Sequence, residues 1–507
     1  MALRPILLAA ALSAPQVALA DLTVEAAWDV WTTQFEALGL EWQAETKRDG
    51  AALAVGPIFL TLRFPGTALD VNLQLPGPRF VPDGPEIDVR LPVSEAMPFS
   101  MSTVEDGAPG FTSSGAFAWR MEDVTVRMRE TEAGIETRWR GQSFEIALTE
   151  FGLFGTPYPA AYRYLQSGFD ITQTSDVGDG WLDFTRRGEA EQVLVEYGYG
   201  DETTAEGLEG VLDRHAVETV TELRLPPEGP VLQSLSEQAA DGMAFRHTMA
   251  AERGIDRDKD WLNGALIATS QTDWSEIKGD FALDREGLRI VSGAQQTAMQ
   301  LTDEMLGVHF DVEASRVLLD LALPVLRDVA PQDFALRFEL DGLTMSEESW
   351  AQFFMAEDFP RQAADVELDL GGEVILVETL FDLDAMSATF GGALPFFVET
   401  LDLRSLGLRL PEAEVTGSGA VRFDHMDYET LVGFPATEGR AVFDVTGAQA
   451  LLDRLVSAKV LTTEDAMSAR MMLGMFTRPV EGQDETARSE VEITAEGQVL
   501  VNGQRMR

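Results

Sequence analysis

The chain has 507 residues, no cysteine and a formal charge of −47, from 85 acidic against 38 basic side chains. Without cysteine there are no disulfides, thiolate metal sites or thiol nucleophiles, and a chain of this length buries a core without cross-links. The charge excludes a nucleic-acid partner and disfavours anionic lipid headgroups, because like charges repel across the Debye length.

The first residues carry Arg4, an apolar run over 6–12 and the small-x-small exit Ala18-Leu19-Ala20. These are the three parts of a secretory signal. Cleavage is expected after Ala20, which places the mature chain in the periplasm. The run is too short to span a bilayer. No later segment is apolar enough either: 317–329 is broken by Asp320, Pro324, Arg327 and Asp328, so it reads as a buried soluble segment.

The mature chain opens with a predicted helix. Val24, Trp28, Trp31, Phe35 and Leu38 fall on one stripe, Asp21 or Thr23 caps the start, and Gly39 ends it. Short strands at 58–64, 71–75 and 87–91 follow, separated by Pro/Gly punctuation. Val124, Val126 and Met128 then alternate with polar neighbours. After a turn at Glu132-Ala133-Gly134, Ile135, Thr137 and Trp139 do the same. After a second turn at Gly141-Gln142, Phe144, Ile146 and Leu148 continue the pattern. Alternation with a period of two marks antiparallel strands with one buried and one wet face.

Residues 203–220 read as helical, with Leu208, Val211, Leu212 and Val217 grouped. Pro226-Pro227-Glu228-Gly229-Pro230 is the best linker, dividing an N-terminal region, 21–225, from a C-terminal region, 231–507. The second region returns to strands, including 281–283 and 288–290 around a turn at 284–287. Strand 334–340 runs into Asp341-Gly342, a hairpin signal. Strands at 366–370, 401–410, 420–423 and 441–445 follow. A helical pair, 448–458 and 463–476, and strands at 491–493 and 499–501 close the chain. No fixed short repeat appears. The fold class is α+β, predominantly antiparallel β-sheet with a few packed helices, in extended curved sheets.

Chemistry-bearing patterns are sparse, and no catalytic residue is nominated. The four histidines, His215, His247, His309 and His425, show no metal-ligand spacing. His425 lies among acids in Phe423-Asp424-His425-Met426-Asp427, where a surface loop histidine is the plain reading and a pH-sensitive spot the sharper one. Asp256-x-Asp258-x-Asp260 presents alternate carboxylates in a predicted loop, as a calcium site does. Trp261 and Ile267 occupy the places where an EF-hand needs Gly and Glu, so the alternatives are an irregular calcium loop or a solvated turn. Gly417-Ser418-Gly419 lacks the G-x-S-x-G spacing of a nucleophile elbow. Met467, Met471 and Met475, with Met472 and Phe476, form a stripe expected to pack in the core, as does the cluster Trp350, Phe353 and Phe354.

The C-terminal stretch reads Gly447-Ala448-Gln449-Ala450-Leu451-Leu452-Asp453-Arg454-Leu455. It continues with Ala466-Met467-Ser468-Ala469-Arg470-Met471-Met472-Leu473-Gly474-Met475-Phe476 and ends Val501-Asn502-Gly503-Gln504. With the signal and the tryptophan-bearing first helix, this resembles domain-of-unknown-function family 2125. These are exported alphaproteobacterial proteins with no established activity. The Gly-Phe-Pro segment associated with that family stands here as Arg63-Phe64-Pro65-Gly66. The resemblance implies a Gram-negative periplasm and carries over no site residue.

The expectation is a non-enzymatic periplasmic protein whose half-buried strands bind an apolar, lipid-like ligand or an envelope protein partner. The alternatives are an envelope-glycan hydrolase using an unlocated carboxylate pair and a structural envelope protein stabilised by calcium.

Overall fold

Helix α1 (Val24–Ala37) forms where the aromatic stripe predicts it, and the Thr23 hydroxyl accepts the Ala26 N–H at 3.1 Å to cap it. Gly39, at φ 73°, ends it. The computed structural model describes residues 22–506 apart from 65–68, 93–95, 106–107, 179, 201–203, 227–234, 354–362, 381–394, 432 and 484. The signal with its cleavage point, Pro65-Gly66, most of the linker and Phe354 therefore lie outside the described residues.

The molecule is 68% strand and 12% helix, in one large antiparallel sheet that is not closed. This is the mostly-β α+β class expected from the alternation. Strand Gly134–Leu153 is the junction of the sheet. Along one edge its first half pairs with Thr125–Thr131 and its second half with Ala108–Glu122. Each of those strands leads back into an arm of shorter strands. Along the other edge Ala160–Gly178 pairs with both halves. From there the chain meanders through hairpin neighbours of 11 to 20 residues as far as Ala436–Thr446, and Thr486–Ile493 follows in the sheet.

α1 covers the two arms. Trp28, Leu53, Ile58, Phe80, Ile87 and Met128 form the largest buried cluster, and Trp28 meets Trp42 edge-on at 5.7 Å. Three smaller clusters follow, the last around Leu283, Leu288 and Val325. α2 (Leu235–Asp241) and α3 (Glu347–Phe353) are short. α4 (Ala448–Ser457) and α5 (Thr463–Phe476) match the predicted helical pair. Thr462 and Asp465 close a capping box on α5.

Four local expectations are corrected, and one physical feature explains three of them. Residues 206–225 form a strand where a helix was expected, and Gly141-Gln142 lies inside a strand rather than at a turn. Asp341-Gly342 sits within strand Gln332–Met345 and makes no hairpin. In each case the ladder skips a residue: Ala216 at φ 50°, Gln142, and Gly342 at φ 64°. At Gln142 and Ala216 one residue is skipped on each strand with the register unchanged, and at Gly342 the ladder to Ala364–Leu376 shifts as in a bulge. In each case the kink restarts the alternation on the same face. Leu208, Leu212 and Val217 consequently share a face at irregular spacings that imitate a helix. Gly168, Glu276 and Gln296 also have positive φ, which extends the line of kinks across the middle of the sheet. The fourth correction concerns α5, where Met467, Met471, Met472 and Met475 are each more than half exposed and pack into no core.

Candidate functional site

Directly opposed residues in an antiparallel ladder point to the same face. Following the register across the C-terminal strands gives uninterrupted apolar rows. Phe281 opposes Ile290, then Leu321, Leu336, Leu370, Leu403, Gly419, Ala441, Val491 and Val501. At about 4.8 Å per strand this row runs roughly 40 Å. Beside it, Leu319, Phe338, Leu368 and Leu406 form a second row, and Val317, Leu340, Val366, Leu408, Val415 and Val445 a third. The other face is ionic, with Arg488 on Asp444 at 2.7 Å and Arg440 on Glu490 at 2.8 Å.

The leucines of these rows and Phe338 are half-buried and Phe281 is exposed; none of them belongs to the buried clusters of the described residues, although Ile290 packs against the one around Leu283, Leu288 and Val325. Neighbours in the sheet shield their flanks, while their tips join no buried cluster among the described residues. An apolar face of this extent that no buried cluster of the described residues covers has the character of a binding surface.

Asp256, Asp258 and Asp260 stand on strand Ala244–Leu262, not in a loop. Register brings them to the same face as the apolar rows, toward the other side of the kink line. A Cβ added at Gly254 would meet both Arg214 and Ile277 at 2.7 Å, so the face is continuous through the kink. Asp256 pairs with Arg214 and accepts Trp274 Nε1–H at 3.0 Å. Asp258 accepts the Tyr197 hydroxyl at 2.8 Å and the Ser270 hydroxyl at 3.2 Å. Burial, then the bond to Asp258, pushes the Tyr197 phenol up. Alternate residues of a strand are about 7 Å apart, whereas calcium draws its oxygens to within about 2.6 Å. Among the described residues no group of three or more His, Asp or Glu side chains is arranged to hold a metal ion.

The histidines do not come together. His215 contacts Asp213 at 3.2 Å, His247 bonds Thr221 at 2.9 Å and His309 bonds Thr302 at 3.0 Å. His425 sits at the end of strand Glu414–Asp424 with its ring between Phe397 and Phe423. Gly417-Ser418-Gly419 is plain strand. Arg214, Tyr197 and Trp274 were not singled out in the sequence, because only register places them beside the aspartates.

Compared with protein-family models, curated proteins and solved structures, the chain shows no match. No helix among the described residues is long and apolar enough to cross a membrane.

Proposed function

We propose that this is a non-enzymatic periplasmic protein that holds a lipid-like, apolar ligand along the exposed apolar face of its sheet. The observation that carries the reading is the central part of the rows, Leu321, Leu336, Leu370 and Leu403 with Leu319, Phe338, Leu368 and Leu406, half-buried and outside every buried cluster of the described residues. Each methylene that such a surface takes fully out of water contributes about 0.8 kcal/mol. An acyl chain therefore suits it better than a small polar metabolite. The periplasmic setting rests on the signal and on the resemblance to the exported family.

The test is extraction of the purified, detergent-free protein into organic solvent followed by mass spectrometry, together with titration of a fluorescent fatty acid. Co-purified lipid and saturable binding are expected. Leu370→Asp with Leu403→Asp should abolish both, while Asp369→Asn on the opposite face should not. Extracts free of lipid, with no saturable fluorescence, would sink the proposal.

A further inference from the structure

One rim of the sheet carries exposed apolar side chains that belong neither to the apolar rows nor to the buried clusters of the described residues. Strands Gly287–Asp303 and Ala436–Thr446 run toward the same rim, since six antiparallel pairings separate them. α4 and α5 follow the second of these strands. In α5, Met467, Met471 and Met475 recur every four residues on one face with Met472 beside them, and all four are more than half exposed. Ala466 is buried and Leu473 and Phe476 are half-buried on the opposite face. The helix is tied down by Arg470 Nε, which donates to Gln449 of α4 at 3.0 Å, and by Asn502 Nδ2, which donates to the Phe476 carbonyl at 2.8 Å. The turn after Gly287–Asp303 presents Met305 and Leu306, also more than half exposed, with both backbone N–H groups held by the Asp303 carboxylate at 2.9 Å. At about 4.8 Å per strand, the two apolar points lie roughly 29 Å apart along the rim.

Charge selects the partner. The chain carries −47 overall, but over 447–480 the cations Arg454, Lys459, Arg470 and Arg478 meet only Asp453, Glu464 and Asp465. Lys459, just before α5, and Arg478, just after it, are exposed and have no ion-pair partner among the described residues. A methionine stripe bracketed by free cations matches a helix lying in a membrane interface, with its apolar side chains among the acyl chains and its cations at the level of the phosphates. Methionine suits that task because its flexible side chain adapts to an irregular apolar surface. Two apolar points set apart on one rim fit an extended surface better than a single peptide. A second copy of the chain is disfavoured, because both copies carry the same large charge.

We infer that this rim seats the protein on a lipid bilayer, α5 entering the interface through Met467, Met471 and Met475 and the neighbouring turn through Met305 and Leu306. The contact uses none of the side chains of the apolar rows, so it stands whether or not those rows hold a ligand.

The test is flotation of the full chain with vesicles of phosphatidylethanolamine and phosphatidylglycerol, mixed three to one. The protein should float with the vesicles. Met467→Gln, Met471→Gln and Met475→Gln together should weaken the partitioning at least tenfold, and Met305→Ser with Leu306→Ser at least threefold, with melting curves checked against the parent. Lys459→Gln with Arg478→Gln should weaken it at least twofold. Leu370→Asp with Leu403→Asp should leave it unchanged, which separates this contact from the lipid-holding reading. Since the chain has no cysteine, Met471→Cys takes a polarity-sensitive dye at one place, and its emission should shift to the blue when vesicles are added. No flotation, flotation indifferent to the methionine changes, or flotation lost only with Leu370→Asp and Leu403→Asp overturns the inference. If the triple variant fails to fold, the dye at position 471 decides, and an unshifted emission sinks the proposal.

Discussion

Asp170 shows how single residues hold the ionic face. Arg138 bonds its carboxylate through Nε and Nη2 at 2.9 and 2.6 Å, and Arg140 adds a bond at 2.5 Å. Arg138 foremost, with Arg140 beside it, holds the Asp170 carboxyl down to about 2. A lowered folded-state pKa stabilises the protein above the unfolded value near 3.9, and this is lost as pH falls toward about 2. The carboxylate is 32% exposed and the Arg138 guanidinium 49%, so solvent screening reduces the contribution to about 1 kcal/mol. Asp170→Asn should lose that much in urea unfolding at pH 7, with the gap narrowing by pH 3. A gap of constant size would contradict the assignment. The aspartates at 256, 258 and 260 lead to a second expectation. Two of them are already bonded to Arg214, Trp274, Tyr197 and Ser270, so a calcium chelator should leave the melting midpoint where it was. A fall of several degrees would restore the calcium reading.

Among the elements, α5 departs most from its sequence pattern. Its stripe was expected to be core, yet Met467 and Met471 are 66% and 65% exposed. Converting Met467, Met471 and Met475 together to Gln should therefore change stability by no more than about 0.5 kcal/mol per site, as for other surface positions. A loss of several kcal/mol would show that the stripe is packed. The entry of α4 is less tolerant. Gly447 has φ 70°, and an added Cβ would lie 1.9 Å from the Glu412 carbonyl oxygen. Gly447→Ala should cost more than about 1 kcal/mol, measured by chemical denaturation, because it adds a clash to left-handed strain.

At the scale of the whole molecule, the two regions read from the linker share one sheet. Strand Glu206–Leu225 pairs with Ala244–Leu262 from Glu206↔Leu262 to Arg224↔Ala244. A protease site inserted at 227–234 should be cleaved without separating the halves, which should co-elute in size-exclusion chromatography until denatured. Halves that part under native conditions would mean independent domains. The same continuity makes the apolar rows a single surface, since each depends on the register of every neighbouring strand.

Much of this architecture was legible in the residues alone. Period-two alternation around Val126, Trp139 and Leu368 identifies strands with one apolar and one polar face, and the stripe from Val24 to Phe35 with Thr23 identifies α1. These are local patterns, set by the backbone repeat and by capping chemistry. Residues such as Ala216, Gln142 and Gly342 were misread because a kink in the ladder shifts the alternation by one position and leaves no composition of its own. Nor does alternation say what covers an apolar face. That Leu370 and Leu403 stand outside every buried cluster of the described residues, that Arg214 and Tyr197 meet the aspartates, and that His425 faces Phe397 all depend on which strands lie side by side. Pairing is a contact between distant parts of the chain, so only the tertiary structure decided it.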